Sequence, residues 1–263
     1  MRSNHGTLRI SGLMIGLLTY WLAVPAWCAD DYAVGIYFNA ILGEKCESFG
    51  AEGIKIAIED NAFTDVSYVK SFKPEDLKDI RVLIVPCVLN YPKAWDLNEV
   101  REDQRKFVES GGGLILIQES VGWRSKKAFM DNPIFPEFGR GVAWDGKTYA
   151  PIQHTPLTVV DKDHPITRDL PAQFKLQYDS APLKLGEKGH VLIKFPEDGM
   201  IRGQKAKFQD LSAVIVGEHG KGRVVLMGPV IGITWLPREM ETPPTASMLK
   251  LLLNSVRWCA GKQ

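Results

Sequence analysis

A near-match to a catalytic turn lies in the middle of the chain. Gln118-Glu119-Ser120-Val121-Gly122 follows an apolar run and resembles the G-x-S-x-G turn that presents a nucleophilic serine at the end of a strand. Glutamine stands where that turn has its first glycine. The stretch raises the question of whether Ser120 attacks a substrate or has another role.

A serine nucleophile needs a general base, usually histidine. Beyond the N-terminal segment the chain offers His154, His164, His190 and His219. None has a spacing that connects it to Ser120, and Gln118 lacks the small side chain that the turn requires. We therefore expect Ser120 to be a hydroxyl that lines a cleft rather than a nucleophile.

Two carboxylates give the chain an alternative catalytic chemistry. Glu119 follows the same apolar run, and Asp179 lies in a later polar segment. Either could act as a general acid or base in a hydrolase or a sugar-modifying enzyme, provided that a second carboxylate faces it. No short metal-ligand spacing accompanies them, so we expect no metal site and no other cofactor.

Three cysteines remain beyond the N-terminal segment, which are Cys46, Cys87 and Cys259. Cys87 follows an apolar run, and three interpretations stay open for it. It forms a disulfide with Cys46 in an exported protein, it is a buried inert thiol, or it is a catalytic thiol.

Aromatic residues are frequent in the predicted loops. They include Tyr91, Trp95, Trp123, Trp144, Tyr149, Tyr178 and Trp235. Together with the polar side chains of Gln118, Glu119, Ser120 and Asp179, rings such as Trp123 and Tyr178 could hold a neutral, sugar-like ligand. The alternative is that loops 88–95 and 124–150 fold over the cleft and bury these rings.

The elements that position these residues follow an α/β pattern. Apolar runs at 32–38, 66–72, 81–86 and 114–117 predict strands, and helical spacing at 48–60 and 97–110 predicts helices, with Ser48 as an N-cap. A hairpin is predicted across "GEHGKGR" and a closing helix at 245–259. The order predicts a parallel sheet with helices on both faces, whose functional groups gather at the carboxyl ends of the strands.

The N-terminal segment has the features of a secretory signal. Arg2 and Arg9 precede an apolar run to about Val24, and small residues follow it. We expect residues 1–29 to be removed and residues 30–263 to form a single domain that is secreted or periplasmic. An uncleaved anchor is the minority alternative, and no second apolar stretch of membrane-spanning length follows.

The charge balance excludes some partners. Residues 1–29 contain two arginines and no acidic residue, so 30 basic and 31 acidic residues remain, a net charge of −1. This balance provides no basic surface for nucleic acid or anionic lipid. We expect the partner to be a small polar molecule or another protein.

Four motifs together resemble one known family. In chain order they are "GGGLILIQES", "DHPITRDLPAQFKLQYDS", "GEHGKGRVVLMGP" and "LLLNSVRWCAG". Over residues 80–261 they are similar to the ThuA-like (trehalose-utilisation) family of the class I glutamine amidotransferase-like superfamily. The resemblance implies a flavodoxin-like fold and a function that is often associated with sugars.

The chain departs from this family at three motif positions. ThuA-like members usually place a histidine where this chain has Gln118, and an Asp-Glu pair where it has Asp179-Ser180. They commonly have Gly-His where this chain has Gly228-Pro229. We therefore expect an amidotransferase-like domain that has lost its usual catalytic groups and binds a ligand or a partner, with the acid/base enzyme as the alternative.

Overall fold

The structure is a computed structural model. It describes residues 32–38, 48–61, 63, 65–88, 91–92, 95–122, 132–142, 156–177, 180–201, 204–208, 210–234, 240–241, 243–244 and 246–262. Within this part of the chain, no helix combines the length and the apolar character needed to cross a membrane.

Short strands dominate the chain, with four helices among the described residues. The strands are β1 (Val34–Tyr37), β2 (Ser48–Phe49), β3 (Val66–Val69), β4 (Val82–Val85), β5 (Cys87–Val88), β6 (Gly113–Ile117), β7 (Gly139–Gly141), β8 (Pro156–Val159), β9 (Gln173–Lys175), β10 (Leu183–Leu185), β11 (His190–Lys194), β12 (Asp198–Ile201), β13 (Gln204–Lys207), β14 (Ser212–His219), β15 (Gly222–Met227), β16 (Ile233–Thr234) and β17 (Met240–Glu241). The helices are α1 (Ala51–Glu59), α2 (Pro74–Leu77), α3 (Leu97–Glu109) and α4 (Ala246–Cys259), and a 3-10 turn covers Gln118–Val121.

The centre of the fold is a parallel sheet with the strand order β3-β1-β4-β6-β15. This is the 2-1-3-4-5 order of flavodoxin-like sheets. The predicted flavodoxin-like α/β fold is therefore confirmed. β14 pairs antiparallel with β15, as the predicted hairpin requires, and β11, β8 and β9 extend the sheet beyond it.

Helices cover both faces of the sheet, as predicted. Ile54 and Ile58 of α1 and Leu252 of α4 pack in one apolar cluster, and Val100 and Val108 of α3 pack in the other. Neighbouring residues of the central strands alternate between these two clusters, because successive side chains of a strand point to opposite faces. Both faces are buried, which explains why β4 and β6 are continuously apolar.

The start of α1 differs from the prediction. Ser48 lies in β2, and Gly50 is the residue that precedes the helix, with φ of 89°. A Cβ at Gly50 would lie 2.1 Å from the Ile231 carbonyl oxygen, so the close approach of the 231 segment selects glycine here. α3 does have a side-chain cap, since Asp96 Oδ1 accepts from the Asn98 N–H at 2.9 Å.

Three of the family-like motifs meet in one packing cluster near the amino ends of the parallel strands. Arg223, at the start of β15, lies over the Trp258 ring at 5.0 Å and donates to the Trp258 carbonyl oxygen at 2.7 Å. The His164 ring lies 5.2 Å from the same indole. Burial lowers the pKa of His164, which favours its neutral form. These motifs therefore hold the last helix against the sheet.

Candidate functional site

The turn after β6 is built around Gln118. Its φ of 50° lies in the left-handed region, which is uncommon for a residue with a Cβ. A nucleophile elbow places its reactive residue on such a strained strand-to-helix turn. The strained position is thus occupied by a glutamine, two residues before Ser120, and an amide is not a nucleophile.

Ser120 is fully buried, and its hydroxyl bonds to backbone groups. It donates to the Pro86 carbonyl oxygen and accepts from the Val88 N–H at 3.1 Å. These two bonds connect the turn to Pro86, between β4 and β5, and to Val88 of β5. The hydroxyl is therefore enclosed by backbone and does not stand on an open cleft wall, which differs from the sequence-based expectation and argues against nucleophilic attack.

We expect Ser120→Ala to lower the free energy of unfolding by about 1–3 kcal/mol, because it strands a buried carbonyl and a buried N–H. Ser255 is the matched control, since it is equally buried but donates within α4 to the Leu251 carbonyl oxygen. Ser255→Ala removes only a hydrogen bond within α4 and leaves no backbone group outside a helix without its partner, so it should change stability much less. Urea unfolding of both variants measures the difference, and equal losses would contradict the bridging role of Ser120.

Gln118 forms a hydrogen bond with Cys87. The Cys87 Sγ donates to Gln118 Oε1 at 2.8 Å, and both side chains are buried. Phe49, Val230 and Ile233 pack around the sulfur. Within the described residues the amide nitrogen of Gln118 has no acceptor, so the bond orients the amide and leaves two donors for another group. Cys87 is a buried thiol in this structure, which agrees with the buried-thiol interpretation and not with a disulfide to Cys46; Cys46 itself lies outside the described residues.

Ser180 comes to the same edge from a distant part of the sequence. It forms an antiparallel bridge with Pro229, and the Ala181 N–H donates to the Gly228 carbonyl oxygen at 2.9 Å. Ser180 is fully buried, and its hydroxyl has no hydrogen-bond partner among the described residues. A buried hydroxyl in this state calls for a water or a ligand.

The three positions at which the chain departs from the ThuA-like pattern therefore lie together. Met227 of β15 pairs with Ile117 of β6, so Gly228 lies beside Gln118. Ser180 adjoins Gly228-Pro229, which places it within about two strand spacings, roughly 10 Å, of Gln118. We call Gln118, Ser180 and Gly228-Pro229 the edge site. Sequence reasoning noted Ser180 only as a departure, and the signal that it shares a site with Gln118 is its bridge to β15.

Glu119 also belongs to this edge. Glu119 is 4% exposed, so it is buried like Gln118. Trp123, Tyr178 and Asp179 lie outside the described residues, and their predicted ligand contacts and the acid/base role of Asp179 stay predictions. The described residues contain no cluster of three His, Cys, Asp or Glu side chains arranged to hold a metal.

The described histidines belong to other parts of the fold. His219 pairs with Gly222 at the start of β15, and its Nδ1 lies 3.5 Å from Glu137. His190 Nε2 is 2.7 Å from Asp161 Oδ2, and this hydrogen bond lowers the pKa of Asp161. His164 packs on Trp258, again near the amino ends of the parallel strands. His154 lies outside the described residues.

Two of the aromatic residues pack on each other and on the core. Tyr91 and Trp95 stack with ring centroids 6.3 Å apart, and both contact Tyr37 and Phe72. For this pair the structure favours the buried cluster over an open sugar platform. Trp144, Tyr149 and Trp235 lie outside the described residues.

Comparisons with known proteins extend the structural picture. No protein-family model matches the sequence, and no curated protein matches it in sequence. Solved structures do match. A putative ThuA-like protein from Bacteroides uniformis is 18% identical over 87% of this chain and 91% of its own, with a TM-score of 0.61. A second, from Parabacteroides merdae, is 16% identical over 88% and 90%, with a TM-score of 0.59.

The fold also occurs inside a larger protein. A β-galactosidase from Bacillus circulans sp. alkalophilus is 12% identical over 88% of this chain and only 31% of its own, with a TM-score of 0.55. A fold that occurs in such different contexts leaves function to be argued from the site. The chain has the fold of these ThuA-like proteins.

Proposed function

We propose that the protein binds a small neutral polar ligand, such as a sugar, at the edge site. The observation that carries this proposal is the buried Ser180 hydroxyl, which has no hydrogen-bond partner among the described residues and lies about two strand spacings from Gln118, whose amide oxygen accepts from Cys87. An amide nitrogen supplies donors, and a hydroxyl supplies one donor and two acceptors. This set suits the hydroxyl groups of a sugar.

Two features support binding over amidotransferase-type or serine catalysis. The strained residue of the turn, Gln118, has an unreactive amide, and the Ser120 hydroxyl already bonds to the Pro86 and Val88 backbone groups. The described histidines lie away from this edge. The elbow geometry therefore orients a recognition group.

The test is a calorimetric and thermal-shift titration of the chain with neutral mono- and disaccharides. Sugars are the first choice because a β-galactosidase contains this fold. We expect one of them to bind, and Gln118→Ala and Ser180→Ala each to weaken binding at least tenfold, about 1.4 kcal/mol. Ser255→Ala, in the interior of α4, should leave the affinity unchanged.

Two results would overturn the proposal. If no neutral sugar binds, the ligand-binding proposal is wrong. If a sugar binds with equal affinity to wild type and Gln118→Ala, the ligand site lies elsewhere.

A hydrolase remains the second candidate because Glu119 places a carboxylate in the interior at this edge. A positioned carboxyl group is a candidate general acid or base for glycoside hydrolysis. In that case the chain would release a monosaccharide from an aryl glycoside, and Glu119→Gln would abolish the release. If a sugar binds and no monosaccharide is released from the aryl glycoside, the binding function is favoured over the hydrolase.

We also propose that residues 1–29 direct export and are removed. The basic start and the apolar run of this segment support the proposal. Expression of the full chain in a bacterial host, followed by mass measurement of the protein in the periplasm and the medium, gives the mature N-terminus. An intact chain in the cytoplasm would contradict export.

A further inference from the structure

A cavity lies at the opposite edge of the sheet from the edge site. Its volume is about 440 Å³, within the range of small-molecule sites. One wall is α2 with the turn that follows it, and the other is the second half of α3. Arg81 and Gly112, which line it, immediately precede β4 and β6, so the cavity lies at the amino ends of these strands. We call it the α2–α3 cavity.

The inner surface of the α2–α3 cavity is apolar. Phe72, Leu77 and Phe107, which are 2%, 5% and 9% exposed in total, line it together with the half-buried side chain of Ile80. An apolar concave surface favours a ligand with an apolar body, because binding removes both surfaces from water.

Cationic side chains surround this apolar surface. Lys78, Arg81 and Lys106 line the cavity, and Asp103 is the one carboxylate that lines it. Asp103 already pairs with Lys73 at 3.2 Å. Lys78 approaches Asp79 only at 3.9 Å, and both are well exposed, so that pair contributes little.

Neither Arg81 nor Lys106 pairs with a carboxylate within the described residues. Arg81 donates to the carbonyl oxygens of Gly111, at 2.9 Å, and Ala260, at 3.2 Å, which are neutral groups. Lys106 has no ion pair within the described residues. The cavity therefore combines an apolar interior with a net positive rim.

A purely structural explanation for Lys106 is that it offsets the negative end of the α3 dipole. The last carbonyl groups of α3 already have donors. Lys106 O accepts from the Ser110 N–H, Phe107 O from the Gly112 N–H, and Val108 O from the Gly111 N–H. The helix end is thus satisfied by its own backbone, and the ammonium group remains available to a ligand.

We propose that the α2–α3 cavity binds a small amphipathic anion, with an apolar body against Phe72, Leu77 and Phe107 and an anionic group between Lys106 and Arg81. This site is separate from the edge site, and the ligand class is an aliphatic or aromatic carboxylate. Charge and apolar surface both contribute, so neither a neutral analogue nor a short anion should suffice.

Calorimetric titration of the chain with decanoate tests the proposal. We expect saturable one-to-one binding that weakens as salt is added, with decan-1-ol and acetate binding at least tenfold more weakly. Lys106→Glu should lower the decanoate affinity at least tenfold. Lys184→Glu, an exposed lysine of β10 outside the cavity, is the matched control with the same change in net charge and should bind as wild type does.

Localisation of the ligand completes the test. In ¹⁵N-labelled protein, decanoate should shift the amide signals of Gly111 and Gly112 and leave that of Gln118 in place. The proposal is overturned if millimolar decanoate does not bind, if decan-1-ol binds as tightly as decanoate, or if Lys106→Glu and Lys184→Glu change the affinity equally. Should Lys106→Glu unfold, Lys106→Gln carries the same test.

Discussion

Gly228→Ala should lower the free energy of unfolding by about 3 kcal/mol. A Cβ at Gly228 would lie 2.1 Å from the Ala181 carbonyl oxygen and 3.2 Å from that of Ala213. Both atoms belong to backbone that is hydrogen-bonded to Gly228, through the Ala181 N–H and the Gly228 N–H. The methyl group cannot be accommodated by a side-chain rotation, so the segment that carries Ser180 has to move away from β15.

Gly111→Ala is the control for the backbone cost alone. Gly111 has φ of 117°, but the nearest atoms to its Cβ would be 3.7 Å away. Its substitution should cost about 1–2 kcal/mol through the disfavoured dihedral. Urea unfolding monitored by circular dichroism compares the two variants. A loss at Gly228 no larger than that at Gly111 would contradict the tight contact between the 180 segment and β15.

Gly228→Ala should also remove ligand binding at the edge site, because Ser180 reaches that site through its bridge to Pro229. The sugar identified with the wild-type chain is the probe, and Gly111→Ala should retain it. This outcome would connect the Gly-Pro pair after β15 to recognition through backbone geometry, since neither residue supplies a functional side chain.

The central sheet was predictable because each of its strands carries a local signal. β4 and β6 are short, continuously apolar runs bounded by polar or glycine residues, which is typical of strands buried on both faces. The β14–β15 hairpin turns at Gly220, whose φ of 60° needs glycine, and that residue lies in the predicted turn. Local patterns were sufficient for these elements.

The details of the site were not predictable in this way. The spacing of G-x-S-x-G placed the apex of the turn at Ser120, whereas the backbone reaches its strained conformation at Gln118, where β6 ends. The motif compares residue types, and the position of the apex depends on where pairing with β15 stops. Likewise, the bridge between Ser180 and Pro229 joins residues 49 positions apart and leaves no local pattern.

The family-like motifs illustrate the same limit. His164, Arg223 and Trp258 are the most recognisable residues of three motifs, and they pack on one another near the amino ends of the strands. Their chemistry is stacking and hydrogen bonding within the fold. A family resemblance carried by such residues predicts the architecture well and says little about what the opposite edge of the sheet binds.

The second large effect is expected at Arg105, which ties α3 to the 132–142 segment. Its guanidinium makes a two-pronged contact with Glu137, with Nη2 2.9 Å from Oε1 and Nη1 3.3 Å from Oε2. It also donates to the Ile134 carbonyl oxygen at 2.8 Å and lies 4.8 Å from the centre of the Phe135 ring. The side chains of Arg105 and Glu137 are 20% and 22% exposed, so this pair is mostly shielded from water.

We expect Arg105→Ala to lower the free energy of unfolding by about 2–3 kcal/mol, because hydrogen bonds to charged groups are lost and Glu137 is left largely buried. The control is Lys207→Ala, which breaks the ion pair between Lys207 and Asp198. These two side chains are 78% and 73% exposed. That variant should unfold at the wild-type urea concentration. Equal stability of Arg105→Ala and wild type would show that the pair does not anchor the segment.

The pH dependence provides an independent test of the same contact. Burial acts to raise the pKa of Glu137, but the Arg105 hydrogen bond, a backbone hydrogen bond and the nearby charges of Arg105 and His219 outweigh it, so the pKa lies below its ordinary value of 4.5. A carboxyl group with a lowered pKa in the folded state contributes stability that is fully present above 4.5 and is lost as the pH falls through the folded-state pKa. Wild-type stability should therefore fall more steeply below pH 4.5 than that of Glu137→Gln, which cannot titrate at this position. Arg105→Ala should make the loss of stability below pH 4.5 less steep, because burial then raises the pKa of Glu137 without the Arg105 hydrogen bond that lowers it. Parallel curves for wild type and Glu137→Gln would contradict a lowered pKa at Glu137.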